Sequence, residues 1–234
     1  DAKVRRMALP GRRVISFGLD APPAATDFGL LQQGGELWLA QGEQCLLPLS
    51  RLPMQGLHNA ANVMAALALC VSLGYDVQEL LPAVLSFQGL PHRVEKVTEI
   101  NGVSWYDDSK GTNVGATVAA LTGLGGTQDR KIVLIAGGDG KGQDFSPLAS
   151  AVAQCARAVV LIGRDGPLIG KVLKELGMPL IFASDMSDAV QQANALAQKN
   201  DAVLLSPACA SFDQFSNYEE RGNAFRGFVE ELDV

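Results

Sequence analysis

From residue 103 onward the sequence alternates between short apolar runs and longer amphipathic segments, and this alternation limits the possible folds more than any other feature. The runs predict strands near residues 103–106, 131–136, 158–162, 179–182 and 202–205. The segments between and after them predict helices near residues 114–124, 146–157, 167–176, 187–199 and 217–231. Runs such as Ile132–Ile135 contain only apolar residues, which is typical of parallel strands covered on both faces. The pattern therefore predicts an α/β domain with a doubly wound, mostly parallel sheet.

The first part of the chain lacks that alternation and combines strand signals with two helix signals. Runs on either side of Gly34-Gly35 predict a hairpin. The predicted strands are residues 28–33, 36–40 and 44–49, with a weaker one at 13–19, and the predicted helices are 56–72 and 77–85. Pro82 lies inside the second helix, which we expect to be short or kinked. The pattern breaks at Phe87–Arg93, so we place a domain boundary there, between residues 1–89 and 90–234.

Composition and charge exclude several classes of protein. The net charge of −6 argues against a nucleic-acid surface, which would carry a basic stripe. No apolar run approaches the roughly 20 residues of a membrane helix, and no signal peptide opens the sequence. The four cysteines are far apart and lack the paired spacing of a metal site. We therefore predict a cytoplasmic protein with reduced thiols, no nucleic-acid partner and no membrane span, and we expect a monomer.

Polar turns follow the predicted strands of the second domain. They are Asp107–Asn113, Gly137–Asp144, Gly163–Asp165, Ser184-Asp185 and Ser206–Asp213. Because the carboxyl ends of parallel strands lie at one edge of a sheet, we expect Lys110, Lys141, Arg164 and Ser211 to converge there. Lysines beside the amino ends of helices favour a bound anion.

Each of these features also has a purely structural interpretation. The turn at 107–113 could be a capped helix start with solvated charges, and Leu90–Glu95 could be a hinge. The loop at 137–142 could be a simple tight turn, and it is not a Walker loop because Lys141 is followed by glycine. Asn59 and Asn62 are one helical turn apart, so their amides could contact an adenine edge or cap the helix.

Nucleophilic catalysis is disfavoured by the residues present. Cys209 lies in a turn of small residues, but the only histidines, His58 and His92, lie outside the alternating part of the domain. No G-x-S-x-G elbow occurs. A cysteine or serine nucleophile is therefore a weak hypothesis.

Five motifs in a fixed order resemble a known family. They are His-Asn-x-x-Asn at 58–62, Leu-Pro-His-Arg-x-Glu at 90–95, Asp-Ser-Lys-Gly-Thr-Asn at 108–113, Gly-Gly-Asp-Gly-Lys at 137–141, and Ser-Pro-Ala-Cys-Ala-Ser-Phe-Asp-Gln-Phe at 206–215 followed by Glu-Arg-Gly at 220–222. This set resembles the Mur ligases, and within that family the members that add D-glutamate.

The resemblance implies a domain organisation. Residues 1–89 would be the end of a central ATP-binding domain, and residues 90–234 would be a C-terminal Rossmann-like domain. The UDP-binding domain, the phosphate-binding loop and the magnesium ligands of the family have no counterpart in the sequence. We therefore expect a C-terminal fragment that has no ligase activity alone.

The resemblance also implies a reaction that uses ATP and Mg²⁺. The carboxylate of UDP-N-acetylmuramoyl-L-alanine would become an acyl phosphate, which the amine of D-glutamate attacks. Catalytic roles would fall to Lys110 and Lys141. D-Glutamate would contact Lys141, Thr112, Ser211 and the backbone near Tyr218, where relatives often have Phe. ATP would contact Asn59, Asn62, His92, Arg93 and Asp108, and no metal ligand is expected in this chain.

Two other functions stay open at this point. One is a binding module that holds a nucleotide or an acidic metabolite without catalysis. The other is a ligase of the same architecture but a different substrate, such as a folylpolyglutamate synthase.

Overall fold

The computed structural model describes residues 4, 6–54, 56–125 and 130–233, and the chain divides into two compact units, Asp1–Gln88 and Gly89–Val234. Among the helices of these described residues, none has both the length and the apolar character needed to cross a bilayer.

The first unit is a three-stranded antiparallel sheet packed against helices. Its elements are β1 (Phe28–Gln33), β2 (Glu36–Gln41), β3 (Gln44–Pro48), a 3₁₀ turn (Leu49–Arg51), α1 (Leu57–Ser72) and α2 (Val77–Ser86). Gly34 and Gly35 have φ of 62° and 83°, as a two-residue hairpin turn requires, so the predicted hairpin is confirmed. Helix α2 continues past Pro82 to Ser86. The strand predicted at 13–19 is wrong, because that segment forms only an isolated bridge from Phe17 to Phe28.

The second unit is built on a six-stranded sheet in the order β4-β5-β9-β6-β7-β8. The strands are β4 (Glu95–Ile100), β5 (Val103–Asp107), β6 (Ile132–Gly137), β7 (Ala156–Ile162), β8 (Leu180–Phe182) and β9 (Ala202–Leu205). The helices are α3 (Val114–Leu124), α4 (Leu148–Cys155), α5 (Gly166–Leu173), α6 (Met186–Leu196) and α7 (Tyr218–Glu230), with short 3₁₀ turns at Lys174–Leu176 and Glu231–Asp233. All neighbouring strands are parallel except β4 and β5.

Successive residues of the central strands contribute to opposite faces of the sheet. Leu134 and Leu204 belong to the core that includes residues of α3, α4 and α5. Val133 and Val203 belong to the core that includes residues of α6 and α7. The predicted α/β class with a doubly wound, mostly parallel sheet is therefore confirmed, and apolar side chains on both faces explain why β6 and β7 have no polar alternation.

The edge strand β4 was not predicted, and it is the antiparallel member of the mostly parallel sheet. It pairs antiparallel with β5 through residues such as Glu95 with Asp107 and Ile100 with Val103. The other predicted strands and helices of this unit exist, with ends that differ by a few residues. Strand β7, for example, begins at Ala156, directly after α4 ends at Cys155.

Candidate ligand site at the carboxyl edge of the parallel sheet

Strand β5 ends at Asp107, and both this residue and the next one, Asp108, are buried acids. The Asp107 carboxylate accepts hydrogen bonds from the backbone N–H of Ser109 at 2.9 Å and from Arg226 Nε at 2.9 Å. His92 Nδ1 lies 2.7 Å from Asp107 Oδ2, and Glu95 accepts from the backbone N–H of His92 at 3.0 Å and also pairs with Arg226. Asp107 thus joins the start of the domain to β5 and α7, and both of its carboxylate oxygens have hydrogen-bond partners inside the fold.

The second acid, Asp108, points to a neighbouring strand. Ser206, the residue after β9, donates its hydroxyl to Asp108 Oδ2 at 2.6 Å and lies 3.0 Å from the Thr117 hydroxyl of α3. Burial raises the pKa of Asp108 to about 7, against the hydrogen bond from Ser206, which favours the carboxylate. Asp108 is therefore a group at this edge whose charge changes near neutral pH.

A buried arginine ties three elements together beneath the site. Arg221 of α7 is 1% exposed, and it donates to the hydroxyl and carbonyl oxygens of Ser109 at 3.0 and 2.8 Å. Two of its nitrogens also donate to the Cys209 carbonyl, each at 3.1 Å. Burial lowers the pKa of the Arg221 guanidinium to about 10, so it stays charged at neutral pH. The turns after β5 and β9 are therefore fixed to α7 by one side chain.

Lys110 and Tyr218 form a pair above this buried layer. Lys110 Nζ donates to the Tyr218 hydroxyl at 2.8 Å and lies 4.4 Å from the centroid of its ring. The Tyr218 carbonyl accepts from the Ser109 hydroxyl at 2.8 Å, so it already has a donor. Thr112 follows in the same turn, with its backbone N–H bonded to the Lys110 carbonyl. The aromatic ring and hydroxyl hold the Lys110 ammonium in one place.

The glycine-rich loop after β6 lies beside the turn after β9. The backbones of Asp139 and Ala210 bond to one another in both directions, at 2.9 and 2.8 Å. Lys141 has φ of 51°, and its Nζ lies 5.5 Å from the centroid of the Phe212 ring, which is 65% exposed. The predicted convergence of Lys141 with the turn that carries Ser211 is therefore observed.

Three polar groups at this edge are available to a ligand. The Lys141 ammonium and the Thr112 and Ser211 hydroxyls form no hydrogen bond or ion pair with any of the described residues. Ser211 is nevertheless buried. Cys209 differs, because burial raises the pKa of its thiol to about 12, which leaves it protonated and unsuited to nucleophilic attack.

Left-handed backbone conformations of non-glycine residues are concentrated here. Six such residues occur in the part of the chain that the structure describes, and four of them, His92, Val94, Lys141 and Ala208, belong to the segments just described. Such conformations are uncommon and often occur at ligand sites. The backbone at this edge is held by its surroundings rather than by local preference.

The residues predicted to contact ATP are divided between the two units. Asn59 and Asn62 lie in the first turns of α1 of the first unit, and Gly56 is the N-cap of that helix, so neither asparagine occupies the capping position. In the second unit His92 is buried against Asp107, whereas Arg93 is exposed. Asp108 is buried beside Ser206.

Sequence reasoning gave no role to Arg221 or Arg226. A signal for Arg221 exists, because Arg221, Phe225 and Val229 are spaced by four residues and share the buried face of α7. In the part of the chain that the structure describes, no group of three or more His, Cys, Asp or Glu residues is arranged so that it could hold a metal ion.

Comparison with known proteins shows the family to which the chain belongs. Residues 92–209 match the family described as Mur ligase, glutamate ligase domain. The match covers about half of the chain and includes the polar turns after β5, β6 and β7 and the first part of the turn after β9. The chain therefore belongs to the Mur ligase family, and the resemblance inferred from the five motifs is confirmed.

Two relatives match almost the whole chain at high sequence identity. A protein of Methylobacillus flagellatus named UDP-N-acetylmuramoylalanine–D-glutamate ligase is 56% identical over 232 residues, which are 99% of this chain and 50% of that protein. A protein of Aromatoleum aromaticum with the same name is 58% identical over 227 residues, 96% of this chain and 48% of that protein. The chain thus spans about half the length of the relatives it matches.

Solved structures share the fold at lower identity. UDP-N-acetylmuramate-alanine ligase from Thermotoga maritima matches with a TM-score of 0.64 and 22% identity, covering 92% of this chain and 47% of that one. Mycobacterium tuberculosis folylpolyglutamate synthase complexed with ADP matches with a TM-score of 0.60 and 16% identity, covering 88% and 47%. These likenesses extend across both units of the chain.

Proposed function

We propose that this chain is the part of an ATP-dependent ligase that binds D-glutamate and contributes to the ATP site. Residues 1–89 would complete a central ATP-binding domain, and residues 90–234 would be the C-terminal domain. The observation that carries the proposal is a set of donors, on Lys141, Thr112 and Ser211, that have no hydrogen-bond partner among the described residues and lie on turns held together at one sheet edge. The names of the relatives support D-glutamate as the amino acid.

The chemistry of D-glutamate suits this edge. The amino acid has two carboxylates, and an ammonium together with hydroxyl groups can bind both of them through charge-assisted hydrogen bonds. We assign Lys141 and Ser211 to one carboxylate and Thr112 to the other. The Tyr218 hydroxyl holds Lys110, so the second ammonium adds positive charge at a fixed position. The catalytic contribution of the two lysines is to attract and hold the carboxylates of D-glutamate, which orients its amine for attack.

The other substrates follow from the family. ATP would activate the carboxylate of UDP-N-acetylmuramoyl-L-alanine as an acyl phosphate. We assign the ATP contacts on this chain to the five predicted residues. Arg93 suits a phosphate because its guanidinium is exposed and, among the described residues, has no ion-pair partner. His92 is less available because Asp107 contacts its Nδ1. The five residues are Asn59, Asn62, His92, Arg93 and Asp108.

The acidic residues do not fit a role as magnesium ligands. Asp107 is surrounded by donors from His92, Ser109 and Arg226, and Asp108 accepts from Ser206. We therefore assign no residue of this chain to Mg²⁺. The cytoplasmic location and the monomeric state remain predictions.

Substitution of Lys141 tests the proposal. In a full-length enzyme that contains this chain, we expect Lys141→Ala to raise the KM for D-glutamate at least about tenfold, because a charge-assisted hydrogen bond contributes about 1.5–3 kcal/mol. Lys171→Ala, which removes an exposed lysine in the last turn of α5, is the matched control. A KM unchanged in Lys141→Ala would remove the proposed role.

A thermal-shift titration of this chain separates catalysis from binding alone. A specific ligand at 100 times its Kd adds about 2.7 kcal/mol to the free energy of unfolding. Stabilisation by D-glutamate or ATP, without turnover in the full-length enzyme, would favour the non-catalytic binding module. Preference for L-glutamate over D-glutamate in the same enzyme would favour a folylpolyglutamate-synthase-like ligase.

A further inference from the structure

We propose that Arg164 is a positioning residue for Lys141, which it holds through Asp139. The inference rests on the function proposed above, in which Lys141 contacts the amino-acid substrate. Arg164 follows β7, whereas Lys141 follows β6, so the two residues reach the same edge from neighbouring strands.

One carboxylate connects the two residues. Asp139 Oδ1 accepts a hydrogen bond from the backbone N–H of Lys141 at 2.9 Å, and the same oxygen accepts from Arg164 Nη2. Arg164 Nη2 also lies 3.3 Å from Asp165 Oδ2, and that oxygen accepts from the backbone N–H of Gly140 at 2.7 Å. A single guanidinium thus fixes the two carboxylates that accept from the backbone N–H groups of Gly140 and Lys141. These residues belong to the glycine-rich loop after β6, here named the Lys141 turn.

The Lys141 turn needs such support because its own sequence does not define its conformation. Gly137 and Gly138 have φ of 127° and 124°, and Gly142 has φ of 72°. Lys141 itself has φ of 51°, a conformation that non-glycine residues rarely adopt. A glycine-rich segment has many accessible states, so contacts from outside the turn must select this one.

The surrounding backbone confirms how closely the turns are packed. A Cβ on Gly163 would lie 2.8 Å from Gly138 Cα and 2.4 Å from Asp213 Oδ2. The backbone N–H of Arg164 donates to Asp213 at 2.9 Å, and that of Asp165 donates to the Gly138 carbonyl at 3.0 Å. The turn that carries Arg164 therefore contacts both the Lys141 loop and the turn that contains Ser211.

Charge gives Arg164 a second effect on Lys141. Two carboxylates, Asp139 and Asp165, lie in this group, and Arg164 pairs with both. The Lys141 ammonium instead lies over the ring of Phe212. If Arg164 were removed, Asp139 and Asp165 would lose their pairing cation, and they would attract the ammonium of Lys141, whose backbone N–H already donates to Asp139. Arg164 thus leaves the Lys141 ammonium free for a ligand.

The experiment compares Arg164→Ala with the same substitution at a second arginine, Arg157→Ala. Arg157 also pairs with an aspartate, the more buried Asp201, at the opposite, amino end of the sheet. On this chain, we expect Arg164→Ala to speed solvent exchange of the Gly140 and Lys141 amides, measured by NMR, by about tenfold or more, as local opening becomes easier. Arg157→Ala should leave the exchange of these two amides unchanged.

Kinetics of the full-length enzyme give the second readout. We expect Arg164→Ala to raise the KM for D-glutamate about five- to tenfold and to change kcat by less than about twofold, because it weakens binding at a site that remains intact. Arg164→Lys should restore part of the affinity, since lysine supplies the charge but not the planar fork. Asp139→Asn, which keeps an oxygen for the Lys141 amide, should act in the same direction as Arg164→Ala.

The outcomes separate this inference from the function on which it rests. Unchanged exchange of the two amides together with an unchanged KM in Arg164→Ala would overturn the positioning role. An equal loss of kcat and of thermal stability, without an effect specific to the Lys141 turn, would also overturn it. Faster exchange in Arg164→Ala combined with no D-glutamate binding by the unaltered enzyme would refute the proposed function and support the positioning role.

Discussion

Two glycines of α7 provide a sharp test of the buried layer under the site. A Cβ added at Gly222 would lie 2.3 Å from His92 Nδ1 and 2.9 Å from Asp107 Oδ2, both closer than real Cβ contacts. A Cβ added at Gly227 would have no neighbour within 4 Å. The two positions share a helix, so they have the same intrinsic preference for alanine and differ in their surroundings.

The expected effects have opposite signs. Alanine stabilises a helix by about 1 kcal/mol relative to glycine, and Gly227→Ala should gain about that amount. At Gly222 the added methyl group must displace the His92 ring, and overpacking costs about 1–3 kcal/mol. The displacement also weakens the hydrogen bond between His92 and Asp107, which is worth about 1.5 kcal/mol or more. We therefore expect Gly222→Ala to lower the free energy of unfolding of the unit by about 2 kcal/mol. The Gly222→Ala variant should then be about 3 kcal/mol less stable than the Gly227→Ala variant.

Urea denaturation followed by tryptophan fluorescence measures this difference. Trp105 is fully buried in the second unit, with its ring 6.1 Å from that of Phe225 in α7, whereas Trp38 lies in the first unit. In a Trp38→Phe background the signal reports the second unit. If Gly222→Ala were as stable as Gly227→Ala, the close approach of α7 to the His92–Asp107 pair would be refuted.

Two further predictions concern Asp108 and Tyr218. Because burial raises the pKa of Asp108 to about 7, its protonated form stabilises the fold, and this contribution is complete below the unfolded pKa of about 4 and is lost as the pH rises through 7. Between pH 5 and 8 the free energy of unfolding of the unaltered chain should therefore fall by about 2–3 kcal/mol more than that of Asp108→Asn, as measured by urea denaturation. Plots of this free energy against pH that run parallel for the two proteins would contradict the prediction. Tyr218→Phe removes the hydroxyl that accepts from Lys110 but keeps the ring. It should raise the KM for D-glutamate about two- to fivefold without lowering the melting temperature, and an unchanged KM would show that the hydroxyl does not position Lys110.

The sequence was informative about the parallel sheet for a physical reason. Strands such as Ile132–Gly137 are buried on both faces, so every residue is apolar and the signal does not depend on register. Helix α3 matched its predicted bounds, because Asn113 caps it by accepting from the backbone N–H of Ala116. Where local preference and tertiary burial agree, the pattern specified the element.

Edge strands gave a weaker signal. Strand β4 is half exposed and includes Glu95, Lys96 and Glu99, so it has no continuous apolar run. It forms because it pairs with β5, which is a contact that periodicity does not reveal. Residues 13–19 show the converse error, since their loose alternation has only the single bridge at Phe17 to support it.

The candidate site was predictable in its location but not in its layers. Topology alone placed Lys110, Lys141 and Ser211 at one edge, because parallel strands end together. The same types of residue then take different roles at that edge. Asp107 and Arg221 are buried, with their hydrogen bonds satisfied inside the fold, whereas the Lys141 ammonium has no such partner among the described residues.

The buried layer holds the turns in place, while the donors of Lys141, Thr112 and Ser211 have no hydrogen-bond partner in the described part of the chain. A buried charge must be hydrogen-bonded, and Arg221 is bonded to oxygens of Ser109 and Cys209 rather than to a carboxylate. Its positive charge is therefore not neutralised by direct contact, and it lies beneath turns that also carry Lys110. An anion at this edge would be attracted by Arg221 and the lysines and repelled by Asp107, Asp108 and Asp213, whose charges also act on Arg221. In the proposed function, the contacts that stabilise these turns therefore also hold the cations that would bind D-glutamate.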